Sequence, residues 1–285
     1  MLADAIRSEA YRLTRNRTVL SWSLIFVPVI VLAAAIGGAF FDARVERMAD
    51  QLPPQVTAAN SALDIGTILI SSAGQLANPA LLAFLLIGAA TIFAGDYRWE
   101  TWRLITARNS RANLIMGKAG AVKLMTLTGV LLFLLAALIG AVAKGLILDR
   151  SLSFDFGGQE ARDFALLFLL GYVRVIQFLL LSLLAATLTR SQLAALFVPL
   201  VVGVAQGLLV TATPILGWSP VDWQTQLLFP GAAYETLKAV ILGGVPAAVL
   251  QEGVVWRAVA SLALWSFIPF GLSLWWFSRQ DLSKE

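Results

Sequence analysis

The sequence predicts an all-α, polytopic membrane protein with six transmembrane helices. Hydrophobic residues make up 59% of the 285 and charged residues only 13%, where soluble domains average roughly a quarter charged. Six apolar stretches reach the roughly 20 residues that a helix needs to cross a hydrocarbon core about 30 Å thick. None alternates apolar and polar residues as a membrane strand does, so helix is the form that satisfies the backbone in lipid.

Residues 1–17, MLADAIRSEAYRLTRNR, set Leu2, Ile6, Ala10 and Leu13 on one helical face, with Arg7, Glu9, Arg12 and Arg15 largely elsewhere. That pattern predicts an amphipathic helix in the membrane interface, leading into the first span. The apolar run behind it is about twice a signal-peptide h-region, so a cleaved leader is not expected.

The spans are expected at 18–41, 65–94, 119–143, 164–188, 193–216 and 254–277. The second contains Asn78-Pro79, which predicts a kinked or tilted helix. Residues 217–253 hold two apolar pieces too short to cross, interrupted by Pro230-Gly231 and Gly243-Gly244. Such broken segments predict extracytoplasmic re-entrant helices, buried against protein or facing water.

Charge fixes the expected orientation. With the N-terminus inside, inner segments hold twelve basic and six acidic residues, and outer segments seven basic and eleven acidic. The excess of Arg and Lys predicts that both termini are cytoplasmic. Trp22, Trp275 and Trp276 would then sit at the inner interface, and Trp218, Trp223 and Trp256 at the outer one.

Several chemistries are excluded. Cysteine and histidine are absent, which removes disulfides, thiolate and imidazole metal sites, and His-based acid–base catalysis. Gly117-Lys118 is followed by Ala119, and Ala112 stands where a P-loop needs its first glycine, so no nucleotide site is expected. No acid lies in the middle of a span, which counts against a proton-coupled carrier.

Arg174 is the one deep cation, with Gln177 three residues on and Gln206 in the next span. A central arginine is costly in lipid, so it faces protein or water. It either lines a substrate path or fixes helix packing through its amide neighbours.

The segment 95–111, GDYRWETWRLITARNSR, interrupts the apolar pattern with arginines, acids and two tryptophans. Trp99 and Trp102 are three apart and predicted to share a helical face, and Glu100 can pair with Arg103. A short helix across the membrane end would show these side chains to the cytosol, and Trp and Arg dominate interface hot spots. The plainer reading is a basic loop with tryptophans in the headgroups.

Here the sequence resembles the membrane subunit of ABC-2 type transporters. The family's pattern after span two is matched by Asp96-Tyr97, Thr101, Leu104-Ile105, Ser110-Arg111 and Lys118, and its closing Arg-Asp-Leu by Arg279, Asp281 and Leu282. Asp96 stands where Glu is commoner, Glu100 replaces a glycine, and the proline before Ser-Arg is missing. The resemblance covers the whole chain as one domain and implies that 95–116 forms a coupling helix seated on a separate ATPase subunit. Asp96, Arg98, Trp99, Glu100, Thr101, Trp102, Arg103, Arg108 and Arg111 would form that docking surface.

The resemblance further implies two copies of an ABC ATPase that bind ATP and Mg, and a second permease copy or a similar chain. No cofactor would be held by this chain, and lipids rather than nucleic acid would surround it. The location implied is the bacterial cytoplasmic membrane. Arg174, Gln177 and Gln206 would lie on an export path, and Pro230, Gly231 and Tyr234 at an outer gate. A stand-alone secondary transporter or channel is the alternative, and a scaffold or lipid-modifying enzyme a third reading for which no catalytic set is visible.

Overall fold

A computed structural model describes residues 2–49, 62–99, 101–102, 106, 109–244 and 253–281. Six helical stretches among them are long and apolar enough to cross a membrane: Arg17–Met48, Pro79–Arg98, Arg111–Ile147, Gly158–Thr189, Gln192–Leu216 and Val254–Arg279. The all-α, six-span class is therefore what the chain adopts. The third and fourth are several residues longer than the hydropathy suggested, because their polar ends continue in helix beyond the apolar run.

The chain starts with α1 (Leu2–Arg15). The first span combines α2 (Arg17–Leu20), a π-helical turn (Ser21–Ile25) and α3 (Phe26–Ala49). The wide turn lies just before Pro28, whose ring disrupts an α-helical ladder over the preceding turn.

The second apolar stretch is two helices rather than one kinked helix. α4 (Ile65–Ala73) stops at Gly74, and α5 (Pro79–Arg98) starts afresh with Asn78 as its cap and Pro79 at its first position. Pro79 cannot donate a backbone hydrogen bond, so the ladder breaks there. The longest helix is α6 (Arg111–Ile147).

α7 (Gly158–Thr189) and α8 (Gln192–Ala212) form a tight hairpin in which Arg190 takes a left-handed conformation. Two short helices follow, α9 (Trp223–Leu228) and α10 (Pro230–Ile241), and then the last span, α11 (Val254–Arg279).

α7 is the centre of the bundle and packs against α4, α5, α8 and α11. Leu85, Leu86 and Ala89 of α5, with Val175 and Leu183 of α7, are fully buried in this core. α1 and α3 lie along α6. α1 is thus more than an interfacial float: Ala5, Glu9 and Leu13 are buried, while Leu2, Arg7 and Tyr11 stay exposed. The contact is close because Gly117 of α6 has no side chain; a Cβ there would lie 2.9 Å from that of Ala5.

The end of the bundle that holds α1, the 95–111 segment and the C-terminus of α11 is here termed basal. At the opposite, distal end, β1 (Leu63–Asp64) pairs in parallel with β2 (Leu152–Ser153). Asp64 caps α4 through the amides of Gly66 (3.2 Å) and Thr67 (2.8 Å), and also accepts from the amide of Asp155 at 2.9 Å.

Candidate functional site

The basal end is organised around Asp96, in the last turn of α5. Its carboxylate is 2.5 Å from Lys118 Nζ of α6 and 2.7 Å from Arg12 Nη2 of α1, and it accepts from the Thr101 hydroxyl. Lys118 also donates to the Ile92 carbonyl (2.9 Å) and lies 3.5 Å from Glu9, which in turn pairs with Arg12 at 3.0 Å. Asp96 and Lys118 are each 1% exposed. Buried charges are tolerated only when paired and hydrogen-bonded, and here each ion has several partners. Three elements are thereby fixed together: α1, the end of α5 and the start of α6. The hydrogen bond that Arg12 donates to Asp96 also raises the pKa of Arg12 above its ordinary value.

The two tryptophans of the 95–111 segment part company. Trp99 is 71% exposed, with the Arg98 guanidinium over its ring at 5.3 Å. Trp102 is 1% exposed and packs on Tyr97 and Phe277, with Lys118 Nζ 5.2 Å from its ring. The expectation that both show one face to the cytosol is corrected: α5 ends at Arg98, the chain turns, and Trp102 enters the bundle where cation–π and aromatic contacts hold it. Trp102 and Thr106 have helical backbone. Glu100, Arg103 and Arg108, expected in the same surface, lie outside the described residues.

Arg111 also turns inward. It donates to the carbonyls of Phe277 (3.3 Å), Ser278 (3.1 Å) and Gln280 (2.5 Å), capping the C-terminus of α11, where a cation is favoured. Gln280 accepts from Tyr97 Oη at 3.0 Å and donates to the Thr187 carbonyl. What stays open at the basal surface is a cleft of about 390 Å³, lined by Arg12, Asn16, Gly95, Arg98, Trp99 and Gln192 among others.

Farther along α7, the three deep residues singled out from the sequence meet. Arg174 donates to Gln177 Oε1 (2.9 Å) and to Gln206 Oε1 (3.1 Å), and Gln177 donates to the Leu262 carbonyl (2.8 Å). The guanidinium is 4.5 Å from the Phe178 ring. Among the described residues no carboxylate lies within ion-pair distance, so amides and an aromatic face hold the charge.

The loop residues expected at an outer gate come to the same place. A Cβ at Gly231 would stand 3.4 Å from Arg174 Nη2, and Tyr234 donates to the Gly74 carbonyl at 3.3 Å. Pro230 starts α10, and Trp265, midway along α11, donates to the Leu227 carbonyl at 3.0 Å. The α9–α10 turn therefore reaches deep between the spans; the stretch 245–252 lies outside the described residues.

Glu9, Arg12 and Gln280 were not singled out as site residues from the sequence. A usable signal was present for two of them: Glu9 and Arg12 are spaced i, i+3, and Glu9 interrupts the polar–apolar boundary of its helix. Gln280 carries no such signal.

An α-helical bundle with six helices long and apolar enough to cross a membrane, tied together at its basal end by buried charges, is that of a multi-pass membrane protein. A family profile described as ABC-2 family transporter protein matches residues 5–282, and the chain belongs to that family. It is accordingly a membrane component of an ABC transporter, a transport component rather than a catalytic one, of a kind that associates with an ABC ATPase. No curated protein matches the chain.

Proposed function

We propose that the chain is the permease subunit of an ATP-driven exporter, that its basal end docks the ATPase, and that a second copy or a similar chain completes the path. The observation that carries this reading is a contrast over three residues. Asp96 is locked into α1 and α6, while Arg98 and Trp99 stand exposed beside an open cleft. A force applied at Trp99 would reach three helices through one carboxylate. Trp and Arg are also the side chains most often found at binding hot spots.

The basal end would face the cytoplasm of a bacterial cell, as the charge bias favours. ATP and Mg would be bound by two ATPase subunits. The spans Arg17–Met48 and Gln192–Leu216 are the least buried of the six described, which leaves apolar faces for a second copy or for lipid. Arg174, Gln177 and Gln206 would border the path, with the Pro230–Gly231 turn as its outer gate.

Gly95 gives a clean test, since a Cβ there meets nothing within 4 Å. Gly95→Leu would leave the fold intact and fill the docking cleft. Loss of ATPase co-purification in Gly95→Leu and in Trp99→Ala is expected. Undiminished ATPase binding and stimulation in both would show that the ATPase docks elsewhere on the chain, whereas transport by the native protein with no ATPase present would favour the stand-alone carrier.

A further inference from the structure

Asp96 and Tyr97 are neighbours in the last turn of α5, and they engage different parts of the bundle. Asp96 holds α1 and α6 through ion pairs. Tyr97 holds α11 and α7 through neutral hydrogen bonds. Its hydroxyl donates to Gln280 Oε1 at 3.0 Å, just past the end of α11, and Gln280 Nε2 donates on to the Thr187 carbonyl in the last turn of α7. All three residues are buried, so water does not compete for these bonds.

The chemistry at Gln280 admits few side chains. Thr187 lies among the last residues of α7, whose carbonyls have no intrahelical donor, and a carbonyl can only accept. The group that meets it must donate, and the same group must accept from Tyr97. A primary amide carries both functions on one carbon, whereas a carboxylate or an aliphatic chain fails on at least one side. The main chain here is held as well: the Gln280 carbonyl accepts from Arg111 of α6 at 2.5 Å, and that of Asp281 accepts from Arg190 of the α7–α8 turn at 3.4 Å. Trp102 packs against Tyr97 and Phe277, but its buried Nε1 has no acceptor among the described residues. Aromatic packing therefore sets how closely α5 and α11 approach, and the amide sets their register.

We propose that Gln280 is a positioning residue through which a load on the end of α5 reaches α11 and α7, in parallel with the route from Asp96 to α1 and α6. This role rests on ATPase docking at the basal end and adds a second line of transmission to it. The two lines leave α5 at adjacent residues, one ionic and one neutral, so each can be cut without the other.

Amide hydrogen exchange of the full chain in complex with its co-purified ATPase tests this, without nucleotide and after trapping with ATP, Mg and vanadate. In the native complex, trapping should shift exchange in α1 and also at the ends of α7 and α11, residues 184–189 and 274–279. Tyr97→Phe removes a single oxygen, and Gln280→Met removes both hydrogen-bonding groups at nearly constant volume. Both variants leave Trp99 and the cleft untouched, so the ATPase should co-purify as before. The shift in α1 should persist in them, and the shift at the ends of α7 and α11 should disappear. A glutamine that only stabilises the fold would raise exchange at those ends in both nucleotide states alike and leave the difference between the states in place. That difference surviving in both variants would overturn the proposal with docking intact. Loss of ATPase binding in Tyr97→Phe would place Tyr97 in the docking seat and would also overturn it. A native chain that brings down no ATPase, or a native complex with no shift in α1 or at those ends, would overturn the docking reading and this role with it.

Discussion

Lys118 Nζ lies 2.5 Å from Asp96 Oδ2, with both side chains 1% exposed. This pair joins two consecutive spans at the point where the chain leaves the bundle for the 95–111 segment. Removing Lys118 leaves the buried Asp96 with Arg12 as its one counter-ion and loses part of the about 3–5 kcal/mol that breaking a buried pair outright costs. Lys118→Ala should therefore lower the unfolding midpoint in detergent markedly. The double replacement Asp96→Leu with Lys118→Met should recover most of the loss, because Arg12 is half-exposed and keeps Glu9 as a partner. A double variant as unstable as the single would show that the pair is not what holds this end together.

Gly117→Leu should detach α1. The new side chain meets Ala5 at its Cβ and at its backbone, so the helix has to move as a body. Overpacking of this kind costs about 1–3 kcal/mol. Amide hydrogen exchange along residues 2–15 should speed up while exchange in α7 stays unchanged.

Arg174→Leu should fold as well as the native protein, because losing a buried charge offsets the loss of two amide contacts. Gln177 keeps its bond to the Leu262 carbonyl. Transport should fall severely if the guanidinium borders the path. Full transport at normal expression would assign Arg174 to helix packing alone.

The distal end should respond to acid through Asp64, whose pKa is held down at about 2, first by the Thr67 hydroxyl and then by the amides of Asp155 and Thr67. A depressed folded pKa stabilises above the ordinary value of 3.8 and is lost as pH falls from there through about 2. Protection of the Gly66, Thr67 and Asp155 amides, taken relative to their intrinsic exchange rates, should hold at neutral pH and fall over that interval. Asp64→Asn should lack this protection at all pH values.

Length and hydropathy were enough to read the six crossings and the short pieces before the last one, because lipid imposes those features on composition directly. The break at Asn78-Pro79 was legible as a disturbance but not as a full interruption, since a proline can either kink or restart a helix. The 95–111 segment was harder. Spacing puts Trp99 and Trp102 on one face only if the helix continues, and it stops at Arg98. Asp96 and Arg111 read as surface charges because their partners are distant in sequence: Arg12 and Lys118 for one, the end of α11 for the other. Local periodicity has no access to such pairings. Arg174, Gln177 and Gln206 were found because polar atoms inside a span have few other ways to be satisfied.

The restart at Asn78 has a mechanical consequence. Asn78 accepts from the amides of Leu81 and Leu82, which begins the ladder of α5 anew, and the turns before it close on themselves through Gln75 and Leu76. A twist delivered at Arg98 therefore dies out at residues 74–78 and never reaches α4 along the main chain. It has to leave sideways, where α5 grips α7 and where Leu76 sits against Gly171 so tightly that an added Cβ would be 2.8 Å away. The second apolar stretch is thus a jointed rod, and under the proposed coupling α7 would be the drive shaft between the two ends of this protein.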